Sequence, residues 1–368
     1  MSKTPIIQFG TSRFLQAHLD LFISEAAANN EALGGITVVQ TSGHGGRAKR
    51  LSALAEGYGV RLRGLSEGER VDETLHVTSI KRGLGLVDDR AEVQRIIVEE
   101  AEIIVSNTAD AGFRPQPADR SSQFDPAMSY PAKLAHLLRP RFEAGAAAPQ
   151  IMPTELVRSN GDVLRGLVLD AAARMDTRYR TWLAEEVLWV NSLVDRIVSE
   201  PLEPAGAIAE PYALWAIEDR SGLRLPCRHP AINVVADLGP IERRKLFVLN
   251  LGHTWMVSDW LARGRVGAIF VRDVMADPDW SNRLRALYAE EVMPGFVAAG
   301  EEDGIEDYIE ITLERFANPF LDHRLEDIAA NHGEKLRRRI GAFVEWARQH
   351  GDGRGKPLLE AALKEEDT

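Results

Sequence analysis

Cysteine is nearly missing from this chain, Cys227 being the one thiol among 368 residues. That excludes an intrachain disulfide and every zinc site built from several thiolates at set spacings, and it fits a reducing compartment. Long apolar runs are missing too. No stretch reaches the roughly 18 consecutive apolar residues of a membrane span, and the opening Met1-Ser2-Lys3-Thr4-Pro5 carries no charged-then-apolar leader. The expectation is a cytoplasmic protein with no membrane contact. Positive charge is in deficit, since 44 Lys and Arg stand against 55 Asp and Glu for a net charge of -11. Such a balance argues against a surface that grips nucleic acid, whose phosphates demand clustered cations. The local basic run of Lys335 with Arg337, Arg338 and Arg339 reads as the solvated face of a helix.

The length exceeds what one hydrophobic core usually sustains, so two domains are expected. A short apolar run from Pro5 to Phe9 stops at Gly10, and Leu15, Leu19, Phe22 and Ala26 then follow at helical spacing from Phe14 to Ala28. Further strands are expected at Ile36 to Gln40, Leu75 to Ile80, Ile103 to Val105, Gln150 to Pro153 and Val187 to Val190. Helices are expected from Arg90 to Glu100 and from about Asn160 to Ala184. Alternation of this kind predicts an α/β fold with a mainly parallel sheet and helices on both faces. Beyond Pro240 the pattern turns helical, beginning with a long helix from Ile241 to Ala262. The expected division is residues 1–230 for the α/β domain and 231–368 for a mostly helical one.

A glycine directly after a first strand allows the tight turn at which a helix N-terminus meets a pyrophosphate. Gly10-Thr11-Ser12-Arg13-Phe14 occupies that position, although Ser12 and Leu15 replace the later glycines of a full G-x-G-x-x-G, and a plain strand-to-helix corner is equally compatible. Asn107 and Thr108 follow the strand at Ile103 as a polar group at the carboxyl edge. The second strand ends in Gln40-Thr41-Ser42, without the acid that would bind a ribose 2′-hydroxyl, while Arg47 is placed to meet a 2′-phosphate. Cofactor choice between NAD and NADP therefore stays open here.

The most informative segment is Lys245-Leu246-Phe247-Val248-Leu249-Asn250-Leu251-Gly252-His253. At roughly 100° per residue on an α-helix, Lys245, Asn250 and His253 share an arc of about 140°. A lysine among apolar neighbours loses solvation for its charged form and becomes able to accept an alcohol proton. Asn250 and His253 are candidate donors to an alkoxide or carbonyl oxygen. On the trio alone, a snorkelling lysine beside local polar contacts remains an alternative.

The ordered motifs add context. Lys245-x-x-x-x-Asn250-x-x-His253, Gln8 to Phe14, Ser106-Asn107-Thr108, Glu155 to Gly161, Asn191 to Ile197 and Arg315 to His323 together resemble the polyol-specific long-chain dehydrogenases, the mannitol dehydrogenase family. Thr154-Glu155-Leu156 and Asn318 to His323 are most similar to its tagaturonate reductase (altronate oxidoreductase) branch. The resemblance implies a Rossmann-type nucleotide-binding domain followed by a helical substrate and catalytic one, NAD as cofactor, no metal, and a lysine general acid/base, while the missing acid after the second strand and Arg47 keep NADP possible. Carried over by position, Lys245 is that lysine, Asn191 and Asn250 are oxyanion donors, and His253 touches a substrate hydroxyl. Gly10, Thr11, Ser12, Arg13, Phe14, Ser42, Arg47, Asn107 and Thr108 are the expected cofactor contacts. Glu155, Asn160, His323 and Arg324 are the expected substrate contacts, and Asp195 with Arg196 reads as a buried structural pair. The expected reaction interconverts a secondary alcohol and a ketone on a small linear sugar acid of the altronate/tagaturonate or mannonate/fructuronate type. A neutral polyol such as mannitol, altritol or arabinitol is the alternative substrate, and an inactive nucleotide-binding regulator is the alternative of another class. The sequence carries no indication of oligomeric state.

Overall fold

Ile6, Ile7 and Phe9 make the first strand, β1 (Ile6–Phe9), buried along its whole length as a central strand covered on both faces must be. The computed structural model describes residues 3–41, 48–108 and 110–364. Strands β2 (Ile36–Gln40), β3 (Tyr58–Ser66), β4 (Glu69–Val77), β5 (Ile80–Gly85), β6 (Ile103–Ser106), β7 (Gln150–Pro153) and β8 (Leu188–Trp189) follow. Six of them form one sheet in the order β5-β2-β1-β6-β7-β8. Every pairing in it is parallel, with Ile6 beside both Ile36 and Ile103. The order reverses at β1, which is the topology of a Rossmann sheet.

The remaining strands, β9 (Ser192–Asp195), β10 (Val198–Pro201), β11 (Gly206–Ala209), β12 (Leu214–Glu218) and β13 (Ile232–Val235), build two smaller sheets, β10-β11-β3-β4 and β13-β12-β9. Sequence reading missed β3 although its period is visible: Tyr58, Val60 and Leu62 are buried while Gly59, Arg61 and Arg63 are less so. The expected strand from Leu75 to Ile80 is in fact the end of β4 and the start of β5, two strands in different sheets.

Helices of this part are α1 (Arg13–Gln16), α2 (Leu19–Ala28), α3 (Ala48–Glu56), α4 (Arg90–Glu99), α5 (Tyr130–Glu143), α6 (Asn160–Ala171) and α7 (Thr177–Glu185). The single helix expected from Phe14 to Ala28 is broken at Ala17 and His18. Side chains from afar hold the break. Arg196 Nη1 donates to the Ala17 carbonyl at 2.6 Å, and the buried His18 ring contacts the Leu214 carbonyl through Nε2 at 3.0 Å.

After α8 (Gly239–Arg244) the chain is helical throughout: α9 (Leu251–Ala262), α10 (Val271–Ala276), α11 (Pro278–Ala286), α12 (Met293–Ala299), α13 (Ile305–Phe316), α14 (Leu325–Ala329), α15 (His332–Lys335), α16 (Ala342–Gln349) and α17 (Pro357–Lys364). Trp255, Trp280, Tyr288, Phe296 and Phe343 fill its core. Three segments are π-helical, Lys245–Asn250, Leu287–Val292 and Leu336–Gly341, and the first packs against both others. Lys356, ahead of α17, is 2% exposed and donates to Asp352 Oδ2 at 2.6 Å and to the Glu291 carbonyl at 2.7 Å. That buried pair pins the last helix.

Two compact units result: Met1–Leu62, Glu73–Ala209 and Ala213–Leu238 make one, and Arg63–Asp72, Glu210–Tyr212 and Gly239–Thr368 the other. The helical unit thus draws on two segments from ahead of residue 231. Among the described residues no helix is long and apolar enough to cross a membrane.

Candidate active site

The π segment revises the geometry expected for the helical trio. Leu251 N–H reaches back to the Leu246 carbonyl, five residues earlier. With that i to i+5 repeat, Asn250 sits one turn above Lys245 instead of round the side of an α-helix. The widened turn needs outside support, and two long-range contacts give it. Tyr288, from the second π segment, donates its hydroxyl to the Val248 carbonyl at 2.9 Å. That approach is open because residue 252 is glycine, where a Cβ would lie 2.0 Å from the Tyr288 oxygen and 3.0 Å from the Phe316 ring. Arg339, from the third π segment, donates to Thr254 Oγ1 at 3.1 Å and to the Asn250 carbonyl at 3.4 Å. Thr254 Oγ1 donates to that same carbonyl at 2.9 Å.

Lys245 and Asn250 are half-buried, and His253 is buried one turn on. The His253 ring lies 4.5 Å from Phe316 and 4.8 Å from His323 between centroids. Burial, reinforced by His323 and by Arg315, Arg339 and Lys335, holds the His253 imidazole well below its usual pKa. It is therefore neutral near pH 7, with one N–H to donate and one nitrogen to accept. His323 is likewise pushed down by burial, and its Nδ1 is buried without a hydrogen-bond partner among the described residues. His323 thus joins the trio, whereas Arg324 is exposed and its backbone pairs with that of Phe270.

The basic run divides. Arg337 and Arg338 are exposed, Arg338 facing Glu334 at 3.1 Å, as a solvated helix face requires. Lys335 and Arg339, four residues apart, turn inward instead. Lys335 donates to the Ile328 carbonyl at 2.7 Å, and burial lowers the pKa of both cations. The expectation of a wholly solvated face fails for these two because one side of that helix packs on α9. Their i, i+4 spacing was the available signal.

At the carboxyl edge of the large sheet, Gly10 turns with φ +118°. A Cβ there would lie 2.4 Å from the Asn107 carbonyl, so only glycine lets the ends of β1 and β6 come together. Ser12 caps the one-turn α1 by accepting from Leu15 N–H at 3.2 Å, the Thr11 carbonyl accepts from Gln16 at 3.1 Å and from Arg50, and Phe14 stacks on His18 at 4.7 Å. Arg13 Nη2 meets Glu203 at 2.6 Å, leaving Nη1 buried and without a partner among the described residues. Ser42 and Arg47 lie outside the described residues.

Five other expected contacts, Asn107, Thr108, Glu155, Asn160 and Asn191, make internal hydrogen bonds. Asn107 donates to the Thr154 carbonyl and hydroxyl, both at 3.1 Å. Glu155, with its pKa raised by burial, accepts from Ser106 Oγ at 3.0 Å and from Thr108 N–H and Oγ1 at 2.8 and 3.0 Å. Asn160 donates to the carbonyls of Pro153, Glu155 and Ser192 and accepts from Ser192 N–H. Asn191 donates to Asp162 at 2.8 Å and Glu218 at 3.0 Å, which uses both of its amide hydrogens. Glu155 and Asn160 thus bind buried polar groups at the strand ends, while the Asn191 partners, Asp162 and Glu218, are 50% and 25% exposed and also meet Arg220. Asp195 and Arg196 are also buried.

Models of the mannitol dehydrogenase Rossmann domain and of the mannitol dehydrogenase C-terminal domain match residues 4–226 and 237–360. The chain belongs to the mannitol dehydrogenase family. Among curated relatives, altronate oxidoreductase of Bacillus subtilis (strain 168) is 31% identical, over 94% of this chain and 76% of the relative. Altronate oxidoreductase of Halalkalibacterium halodurans is 32% identical, over 94% and 72%. A substrate-free D-sorbitol dehydrogenase shares the fold with TM-score 0.83 and 21% identity, covering 99% of this chain and 80% of that one. So does Pseudomonas fluorescens mannitol 2-dehydrogenase in a ternary complex with NAD and D-mannitol, with TM-score 0.73 and 20% identity, over 99% and 79%. The residues here fit a dinucleotide: the glycine turn stands at the point where strand order reverses, and the orphaned Arg13 Nη1 lies beside it, ready for a phosphate.

Proposed function

We propose that the chain is a cytoplasmic, metal-independent NAD(P)-dependent oxidoreductase that interconverts a secondary alcohol and a ketone on a linear sugar acid of the altronate/tagaturonate or mannonate/fructuronate type. The observation that carries this reading is the π segment, which stacks Lys245 beneath Asn250 with a neutral His253 one turn beyond. Lys245 Nζ takes the proton of the reacting hydroxyl and returns it in the reverse direction. The Asn250 amide donates to the oxygen as charge develops on it, and His253 orients a neighbouring hydroxyl. The nicotinamide, when bound, accepts or supplies the hydride. Gly10, Arg13 and the turn between them would hold it at the sheet edge. Lys335 and Arg339 favour an acid over a neutral polyol, since half-buried cations beside the trio attract a carboxylate. The altronate oxidoreductases of similar sequence support the same choice.

The deciding experiment is a substrate screen of the purified protein with NAD and NADP against altronate, mannonate, mannitol, altritol and arabinitol. Turnover is expected with the sugar acids, and Lys335→Met is expected to raise KM for them more than for any polyol. Activity confined to neutral polyols would overturn the sugar-acid reading, and activity with none of them would leave a nucleotide-binding regulator.

A further inference from the structure

In a doubly wound sheet the end of the second strand meets the adenosine ribose, where a carboxylate binds the 2′-hydroxyl and a cation accommodates a 2′-phosphate. Here β2 ends at Gln40 and is followed by Thr41, so no carboxylate stands at that point. An ammonium approaches instead. Lys133, on the first turns of α5, is 8% exposed, and its Nζ lies 3.4 Å from the Thr41 carbonyl oxygen. An ammonium has three hydrogens to donate, and this long contact with a neutral oxygen is the one hydrogen bond the Lys133 ammonium makes among the described residues.

The carboxylates that act on Lys133 are Asp119 and Asp125, and both are engaged elsewhere. Asp119 accepts from Ser129 N–H at 2.7 Å and Gln116 N–H at 2.9 Å, and Asp125 from Ala127 N–H at 2.8 Å. Burial lowers the pKa of Lys133, against the pull of those two acids. A buried cation with so little direct compensation is costly unless an anion completes its shell. Its place at the ribose edge says which anion that is.

We propose that Lys133 is a specificity-determining residue for the nicotinamide cofactor, its ammonium pairing with a 2′-phosphate on the adenosine ribose so that NADP is accepted at this edge. The inference rests on the dinucleotide-binding reading above. It concerns a residue of α5, distant in sequence from the strand whose end it serves.

Calorimetric titration of the full chain with adenosine 5′-monophosphate and adenosine 2′,5′-bisphosphate tests it without relying on turnover. The bisphosphate is expected to bind about tenfold more tightly, the worth of one charge-assisted contact, with the advantage shrinking as salt rises. In Lys133→Met the ratio of the two affinities should fall to about one, and Lys133→Arg should restore part of it. Circular dichroism and NAD titration show whether each variant is folded. Equal affinities in the wild type, or an unchanged ratio in folded Lys133→Met, would overturn the role of Lys133 while leaving the enzyme reading intact. Failure of the wild type to bind either adenosine nucleotide or NAD would remove the dinucleotide site itself.

Discussion

Substituting Gly252 by alanine probes the device that keeps the Lys245–Asn250 turn widened. The new Cβ would stand 2.0 Å from the Tyr288 hydroxyl oxygen, so the ring must retreat and its bond to the Val248 carbonyl must break. Overpacking of this kind costs about 1–3 kcal/mol and the lost hydrogen bond about 1 kcal/mol, against a gain of about 1 kcal/mol from replacing a helical glycine by alanine. The net expectation is a loss of about 2 kcal/mol, together with lower turnover because Lys245 and Asn250 ride on the displaced turn. Tyr288→Phe alone should cost only about 1 kcal/mol. Combining the two removes the clashing oxygen, and the next atom of that ring lies 3.1 Å from the Cβ, a distance a small shift relieves. The double variant should therefore be more stable than the sum of the singles implies, by about 1 kcal/mol or more. Urea unfolding of all four proteins, with initial rates measured in parallel, reads out the cycle. Strict additivity, or a Gly252→Ala protein as stable and active as the wild type, would refute the coupling of Tyr288 to the π turn.

Lys245→Ala should lower turnover sharply while NAD affinity, followed by fluorescence titration, stays near wild type; equal turnover would remove Lys245 from the mechanism. Lys356→Met strands the buried Asp352 carboxylate, 2% exposed on its side chain, and should cost about 3–5 kcal/mol in urea unfolding. Asp20 is buried against Tyr58 at 2.9 Å, and burial raises its pKa to about 7. The folded state thus holds the Asp20 proton that the unfolded chain releases from about pH 4 upward, and the associated stability is lost as pH rises toward 7. Asp20→Asn should flatten that decline, and identical pH profiles would rule the linkage out. Burial draws His18 down to about 3, which acts with the opposite sign: its contribution is complete above about pH 6.5 and is lost as pH falls. His18→Gln should therefore weaken the acid-side loss of stability.

Local patterns alone make much of this protein legible. The buried runs at Ile6–Phe9, Ile36–Gln40, Ile103–Ser106 and Gln150–Pro153 announce parallel strands because strands covered on both faces are mostly apolar. Gly10 marks its turn for the same local reason, and Lys245, Asn250 and His253 stand out as polar groups in an apolar stretch. The hydrogen-bond partners of Glu155, Asn160 and Asn191 are beyond such reading. Their partners, among them Thr108, Ser192 and Glu218, lie tens of residues away or across a strand end, and a motif does not say whether its polar side chain faces a ligand or a neighbouring backbone.

Sequence alone thus determined the kind of most elements and their order, because periodicity and turn chemistry act over a few residues. Tertiary structure decided the shape of the site. The π turn under Asn250 exists through Tyr288 and Arg339, the inward half of the basic run through packing on α9, and the charge beside β2 through Lys133 of α5. Each is a contact between residues remote in the chain, where burial and the need to satisfy polar groups overrule local preference.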